Sequence, residues 1–294
     1  MRISYKSIAI TMLSLVRVIR RSQFFVKFPN VDSNNPTCLI FGNGPSLTND
    51  IFNKIDNIKN IDTFCVGRFA ESQLYQLVKP RYYVFADPVF WQSNPPKKTI
   101  AMRTKLFNEI KNNTSWELTI CAPFESRYFF KDYFSSNPNI KFCFYNNVPI
   151  SGINLVINYV YDLNLGLPLA QNVLIPSLYM ALKIGYKKII LLGADHSWHE
   201  TLTLDKYNRP CLKDRHFYDK NVDLRPFTID GSDENIFTMA SLFQAIGLMF
   251  EGYLRIYEYA LRQNSQILNA SSETYIDAFP RLNFNDALSS IRNA

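Results

Sequence analysis

Residues 38–41, Cys-Leu-Ile-Phe, run directly into Gly42-Asn43-Gly44-Pro45-Ser46. Four consecutive apolar residues suit a short strand buried on both faces, and the small residues behind them stop it. Glycine tolerates positive φ and lets another backbone or a ligand come close. Pro45 lacks an N–H and fits a turn or the first position of a helix. Ser46 can cap that helix. Strand, small-residue turn and helix start together make a place for a phosphate or a nucleotide; they equally make a tight connection in a parallel sheet. The turn is not Gly-x-Gly-x-x-Gly, and it lacks the Lys-Ser/Thr of a P-loop.

The rest of the chain repeats the same alternation. Short apolar runs at 62–66, 82–86, 117–121, 140–144, 188–192 and 266–268 predict further strands. Helical periods predict helices through Ile51 and Ile55, over 70–78 and 99–111, from Pro176 through Leu182 to Gly185, and over 235–263. Residues 151–169 are ambiguous: Gly152 and Gly166 bracket an apolar run that can be helix. Alternating strands and helices predict an α/β fold, Rossmann-like, with a doubly wound and mostly parallel sheet. At 294 residues and 47% hydrophobic, the chain can fill such a core. The polar stretch 200–232 is too long for an ordinary connection and predicts a functional loop, a lid over about 196–232.

Residues 1–28 contain Arg2, Lys6, Arg17, Arg20, Arg21 and Lys27 and no acid. Ile8, Met12, Leu15, Val16 and Ile19 share one side at helical spacing. The apolar stretch 8–16 is too short to span a bilayer, and no signal-peptide cleavage site follows. Segment 1–37 therefore predicts a basic amphipathic, membrane-associating helix and linker, and 38–294 the catalytic domain. The same helix can instead pack on the domain or on a twin subunit, so a homo-oligomer is compatible. Net charge is +7, which suits an anionic ligand or an anionic membrane surface. The cations are scattered and no nucleic-acid motif occurs, so nucleic acid is not expected as a partner. Five cysteines, mostly in strand-like runs and without zinc-ligand spacing, predict buried thiols of a reducing cytoplasm.

In open α/β sheets ligands bind at the carboxyl ends of strands. Here those ends carry Gly42-Asn43-Gly44, Gly67-Arg68, Asp87-Pro88, Gly193-Ala194-Asp195-His196-Ser197 and Asn269-Ala270-Ser271-Ser272. Five polar ends together predict a rim built for a polar ligand. Asn43 and Asp87 can accept from and donate to a base or ribose, and Arg68 offers a planar fork to a phosphate. Asp195 can position a ligand or ligate a metal; it can also fix its own loop by accepting backbone N–H groups. His196-x-x-His199 has metal-ligand spacing, but Trp198 between them and the absence of a metalloprotease carboxylate argue against it. His216, flanked by Asp214 and Asp219 in the lid, suits general-base work, and Tyr218 can offer a phenol to a leaving phosphate.

Residues 40–47, Ile-Phe-Gly-Asn-Gly-Pro-Ser-Leu, resemble the opening strand and turn of the bacterial sialyltransferases of glycosyltransferase family 42. Residues 181–195, running through Gly185-Tyr186-Lys187-Lys188-Ile189 to Gly193-Ala194-Asp195, resemble their later helix, strand and aspartate turn. The related domain of the motility accessory factors and the archaeal-type 6-hydroxymethylpterin diphosphokinases carries the same two motifs. The resemblance implies inverting transfer of an acidic sugar (sialic acid, a related nonulosonate or Kdo) from a CMP-activated donor to a surface glycan or lipid-linked glycan. It implies no metal or other cofactor, at the inner face of a bacterial cytoplasmic membrane. It implies a donor site at Gly42, Asn43, Gly44 and Ser46. Arg68 and Asp87 stand where the family usually has asparagines, and Ser197 where the first phosphate-binding tyrosine would be. By order His216 matches the catalytic histidine, with His196 as the alternative. A diphosphokinase with ATP and Mg²⁺, and a non-catalytic nucleotide-binding assembly protein, are the other two classes.

Overall fold

The computed structural model describes residues 4–31, 36–212, 225–229 and 235–292. His216 and Tyr218, with Asp214 and Asp219, lie outside the described residues.

The sheet begins with β1 (Thr37–Phe41), in which every residue is buried. The chain then moves outward strand by strand through β2 (Asp62–Val66), β3 (Tyr82–Val84), β4 (Leu118–Pro123) and β5 (Ile140–Tyr145). It crosses back to lay β6 (Lys188–Leu192) on the other side of β1, and β7 (Gln266–Asn269) beyond it. The spatial order is β7-β6-β1-β2-β3-β4-β5, and all seven strands are parallel. Ile40 sits level with Leu191 on one side and Phe64 on the other.

Two apolar layers cover the sheet, because side chains alternate faces along a strand. Cys38 and Ile40 of β1, with Ile189 and Leu191 of β6, join one core. That core is closed by α1 (Tyr5–Arg21), α7 (Asn154–Asp162), α8 (Leu174–Ile184) and α9 (Met239–Arg262). Leu39, Phe41, Ile190 and Leu192 face the opposite core. Its cover is α2 (Ser46–Ile51), α3 (Ile55–Ile58), α4 (Leu74–Val78), α5 (Lys97–Asn113), α6 (Arg127–Tyr133) and α10 (Phe284–Arg292). This is the doubly wound, Rossmann-like arrangement expected from the alternation.

Two local readings differ from expectation, and one ambiguous stretch proves helical. Residues 70–78 are not one helix: the Ser72 hydroxyl donates to the Phe69 carbonyl (2.7 Å), closing a 3₁₀ turn before α4 begins. The ambiguous stretch 151–169 contains α7, which buries only Ile157, Val160 and Tyr161. The expected lid contains a small antiparallel sheet of residues 203–204, 210–212 and 225–226. Its first hairpin is closed by Asp205, whose carboxylate accepts from the backbone of Tyr207 and Arg209 and from the Arg209 guanidinium. All five cysteines are buried and free.

Candidate functional site at the reversal of strand order

Strand order reverses between β1 and β6, and in such sheets the two connections diverge there and open a crevice. A cavity of about 410 Å³ lies at this point. It is walled by the turn after β1, the turn after β6, the start of α8, and Glu273 beyond β7.

The two turns are bound to one another. The Gly42 N–H donates to Leu192 O (2.8 Å) and the Gly44 N–H to Gly193 O (2.8 Å). The Asp195 carboxylate then accepts from the Ser46 N–H (2.9 Å) and the Ser46 hydroxyl (2.6 Å). A Cβ at Gly42 would lie 2.3 Å from Gly193 O, and one at Gly44 would lie 2.1 Å from Asp195 Oδ1. The glycines are therefore required by the approach of one turn to the other. Burial pushes the Asp195 carboxyl up from its ordinary value, and the two bonds from Ser46 oppose that. Asp195 thus accepts a backbone N–H, but from Ser46 of the other turn rather than from its own loop, and it also lines the crevice.

Two side-chain amides at the crevice are incompletely paired. Asn43 Nδ2 donates to Val66 O (3.2 Å), which fixes the orientation of the amide and leaves its buried Oδ1 without a partner. Asn172 Oδ1 accepts from the Leu174 N–H (2.8 Å) at the start of α8, and its buried Nδ2 is unpaired. Buried polar atoms without partners are uncommon and costly. Here one acceptor and one donor of this kind belong to two residues that line the crevice.

His196 lines the crevice as well. Its backbone is left-handed, at φ +55°, a strained conformation for a bulky residue. Its ring is buried, stacks on Trp198 at 4.6 Å, and its Nε2 lies 2.6 Å from the Tyr253 hydroxyl. That hydroxyl donates to Asn172 Oδ1 (3.1 Å), which already accepts from Leu174. The direction of the bond between His196 Nε2 and the Tyr253 hydroxyl depends on the imidazole tautomer. Burial pushes the imidazole down to about 3. The unfolded chain therefore takes up this proton more readily than the folded one, and His196 removes stability as pH falls from 6.5 toward about 3. Denaturant titrations between neutral pH and about pH 4 are expected to show a flatter loss of stability in His196→Asn than in the parent; equal slopes would refute this.

Of the other sequence-predicted residues, Ser197 lines the crevice and Ser46 lies beneath it on Asp195. Arg68 and Asp87 do not line it. The Arg68 guanidinium is held by Glu71 through two bonds of 2.6 and 2.7 Å, with Lys105 on the same carboxylate. Asp87 caps the 3₁₀ turn Pro88–Phe90 by accepting from the Val89 N–H (2.9 Å). His199 packs edge-on against Tyr275 at 4.2 Å, away from the ring partners of His196. Among the described residues no cluster of three or more His, Cys, Asp or Glu is placed to hold a metal ion. Asn172, Tyr253, Glu200, Thr201 and Glu273 were not singled out from sequence. Asn172 alone had a signal, an asparagine just ahead of a helix containing Pro176, the position of a capping residue.

No protein-family model matches the chain, and no curated protein matches it. Among solved structures it is similar to a MAf glycosyltransferase from Magnetospirillum magneticum AMB-1, at 12% identity and a TM-score of 0.50. The match covers 99% of this chain and 42% of that one, so the chain spans less than half the length of that protein. At this identity the likeness is one of fold.

Proposed function

We propose that the crevice binds a nucleotide-activated sugar and that the chain is a glycosyltransferase. The observation that carries this reading is the pair of unpaired amide atoms, Asn43 Oδ1 and Asn172 Nδ2, at the reversal point of a Rossmann-like sheet. An acceptor and a donor from two residues of the same crevice suit a base edge or a sugar diol, which present both. The fold shared with a MAf glycosyltransferase supports the reaction class. The finer proposal is a CMP-linked acidic sugar as donor and a surface or lipid-linked glycan as acceptor, at the inner face of the cytoplasmic membrane. Transfer would invert the anomeric centre without a metal. No lysine or arginine is among the described residues lining the crevice. The donor phosphate would then be met by hydroxyl and amide dipoles, from Ser197, Thr201 and the start of α8, and by Tyr218.

The diphosphokinase reading needs Asp87 and Asp195 on one metal. Both oxygens of Asp195 serve Ser46, and Asp87 is outside the crevice lining, so nothing in the geometry favours it.

Thermal-shift titrations with CMP, UMP, GDP and ATP test the ligand, because a ligand bound to the folded state alone raises stability by mass action. CMP is expected to give the largest shift, with CMP release from a CMP-sugar unaffected by EDTA. ATP-specific stabilisation together with EDTA-sensitive AMP release would overturn the proposal. Asn43→Ala is expected to weaken CMP binding about tenfold at a stability cost of about 1 kcal/mol, one neutral hydrogen bond. Unchanged CMP affinity in this variant would place the nucleotide elsewhere.

A further inference from the structure

Helix α1 is amphipathic in an inverted sense. At 100° per residue its side chains form three stripes. The stripe turned to the protein is small and polar, with Thr11, Ser14 and Val18 buried. Thr11 Oγ1 accepts from the Ile153 N–H (2.9 Å) and donates to Ser7 O (2.7 Å), and Ser14 Oγ accepts from the Ser151 N–H (3.3 Å). The contact is close enough that a Cβ on Gly152 would lie 2.0 Å from Thr11 Oγ1. Below the helix, Gln23 and Asn146 exchange two bonds, of 2.7 and 2.8 Å. These bonds fix the rotation of α1 on the domain.

That rotation turns the apolar stripe away from the core. Tyr5, Ile8, Met12, Val16 and Ile19 are all exposed, Met12 by 62% and Ile19 by 65%. Lys6, Arg17, Arg20 and Arg21 form the third stripe, beside the apolar one. The helix contains no acid, and none of these four cations has an ion-pair partner among the described residues.

We propose that α1 lies in the interface of an anionic bilayer, its apolar stripe among the acyl chains and its basic stripe on the phosphates. An apolar face flanked by cations is the composition that binds such surfaces from the plane of the interface. Seventeen residues rise only about 25 Å along the axis, and no helix among the described residues is long and apolar enough to cross a membrane. Two copies packed through the same stripe would bring their arginines together, whereas lipid phosphates neutralise them. The proposal is independent of what the crevice binds.

Sedimentation of the full chain with vesicles tests it, comparing phosphatidylcholine alone with an equal mixture of phosphatidylcholine and phosphatidylglycerol. The parent is expected to sediment with the anionic vesicles only, and less at high salt. The variant Met12→Ser/Val16→Ser/Ile19→Ser alters exposed positions and is expected to keep the parent's melting temperature while binding more than about tenfold more weakly. Arg17→Gln/Arg20→Gln is expected to weaken binding roughly 25-fold, about fivefold per cation, and keeps the test decisive if the serine variant fails to fold. No binding by the parent, or equal binding by parent and arginine variant, would overturn the proposal. So would a dimer that the serine variant converts to monomer without any vesicle binding by the parent.

Discussion

Replacing His216 by alanine is expected to lower sugar transfer by about 10² to 10⁴-fold at saturating donor, with little change in donor affinity. His196→Ala is expected to do the reverse, weakening donor binding and lowering the melting temperature more than it lowers turnover. The difference follows from the surroundings of His196. Its Nε2 is hydrogen-bonded to Tyr253, its ring stacks on Trp198, and burial depresses its basicity to about 3. A general base works best with a pKa near the operating pH, and a group at 3 has little affinity for the proton of an attacking hydroxyl. What His196 offers is a fixed wall, tied through Tyr253 to Asn172. Tyr253→Phe breaks that tie and is expected to reproduce part of the His196→Ala binding defect. The assignment of His216 comes from its order in the chain and from the two carboxylates beside it. Side-by-side kinetics decide: near-normal turnover in His216→Ala with collapse in His196→Ala, donor affinity unchanged, would make His196 the base.

Asp195→Ala is expected to cost about 2–4 kcal/mol of stability, since it strands the Ser46 N–H and hydroxyl in a buried turn. The melting temperature should fall by roughly 5–10 °C, and ligand binding should fail with it. Ser46→Ala removes one of the two bonds and leaves the backbone N–H paired, so it should cost less than half as much. Asp195→Asn keeps the shape and one acceptor and should fall between. Thermal melts of the three variants give the order, and an Asp195→Ala protein as stable as its parent would refute the bridging role.

The sheet was legible because each strand is a short apolar run closed by small or polar residues, a pattern that two-sided burial requires. The residue set of the crevice was legible only in part. Gly42, Asn43, Gly44, Asp195, His196 and Ser197 follow strands and could be found by the rule for parallel sheets. Tyr253 lies mid-way along a helix whose apolar period hides it among core residues, and Glu273 enters from a loop; only tertiary packing brings either to the site. The same rule marks Arg68 as a phosphate ligand. Sequence order does not reveal that Glu71, one turn on, holds its guanidinium. The small sheet after β6 looks like loop in the sequence because its strands are only two or three residues long, too short to carry a period.

The union of the two turns also bears on how such a site can change. Four backbone N–H groups of the first turn, those of Gly42, Gly44, Ser46 and Leu47, have internal acceptors, and Pro45 has none to give. The turn that looks in sequence like a cradle for a phosphate therefore serves as a joint. Substitutions there are coupled across the joint: a Cβ on Gly44 would meet both the Asp195 carboxylate (2.1 Å) and the Gly193 carbonyl (2.7 Å), so Asp195→Ala removes one of two obstructions to Gly44→Ala and the two costs should combine with somewhat less than their sum. A lineage changing its ligand has little freedom in this floor, where one altered residue demands a second. Its freedom lies on the walls, at Asn43, Asn172, Ser197 and Thr201, where a side chain can be exchanged without parting the strands beneath it.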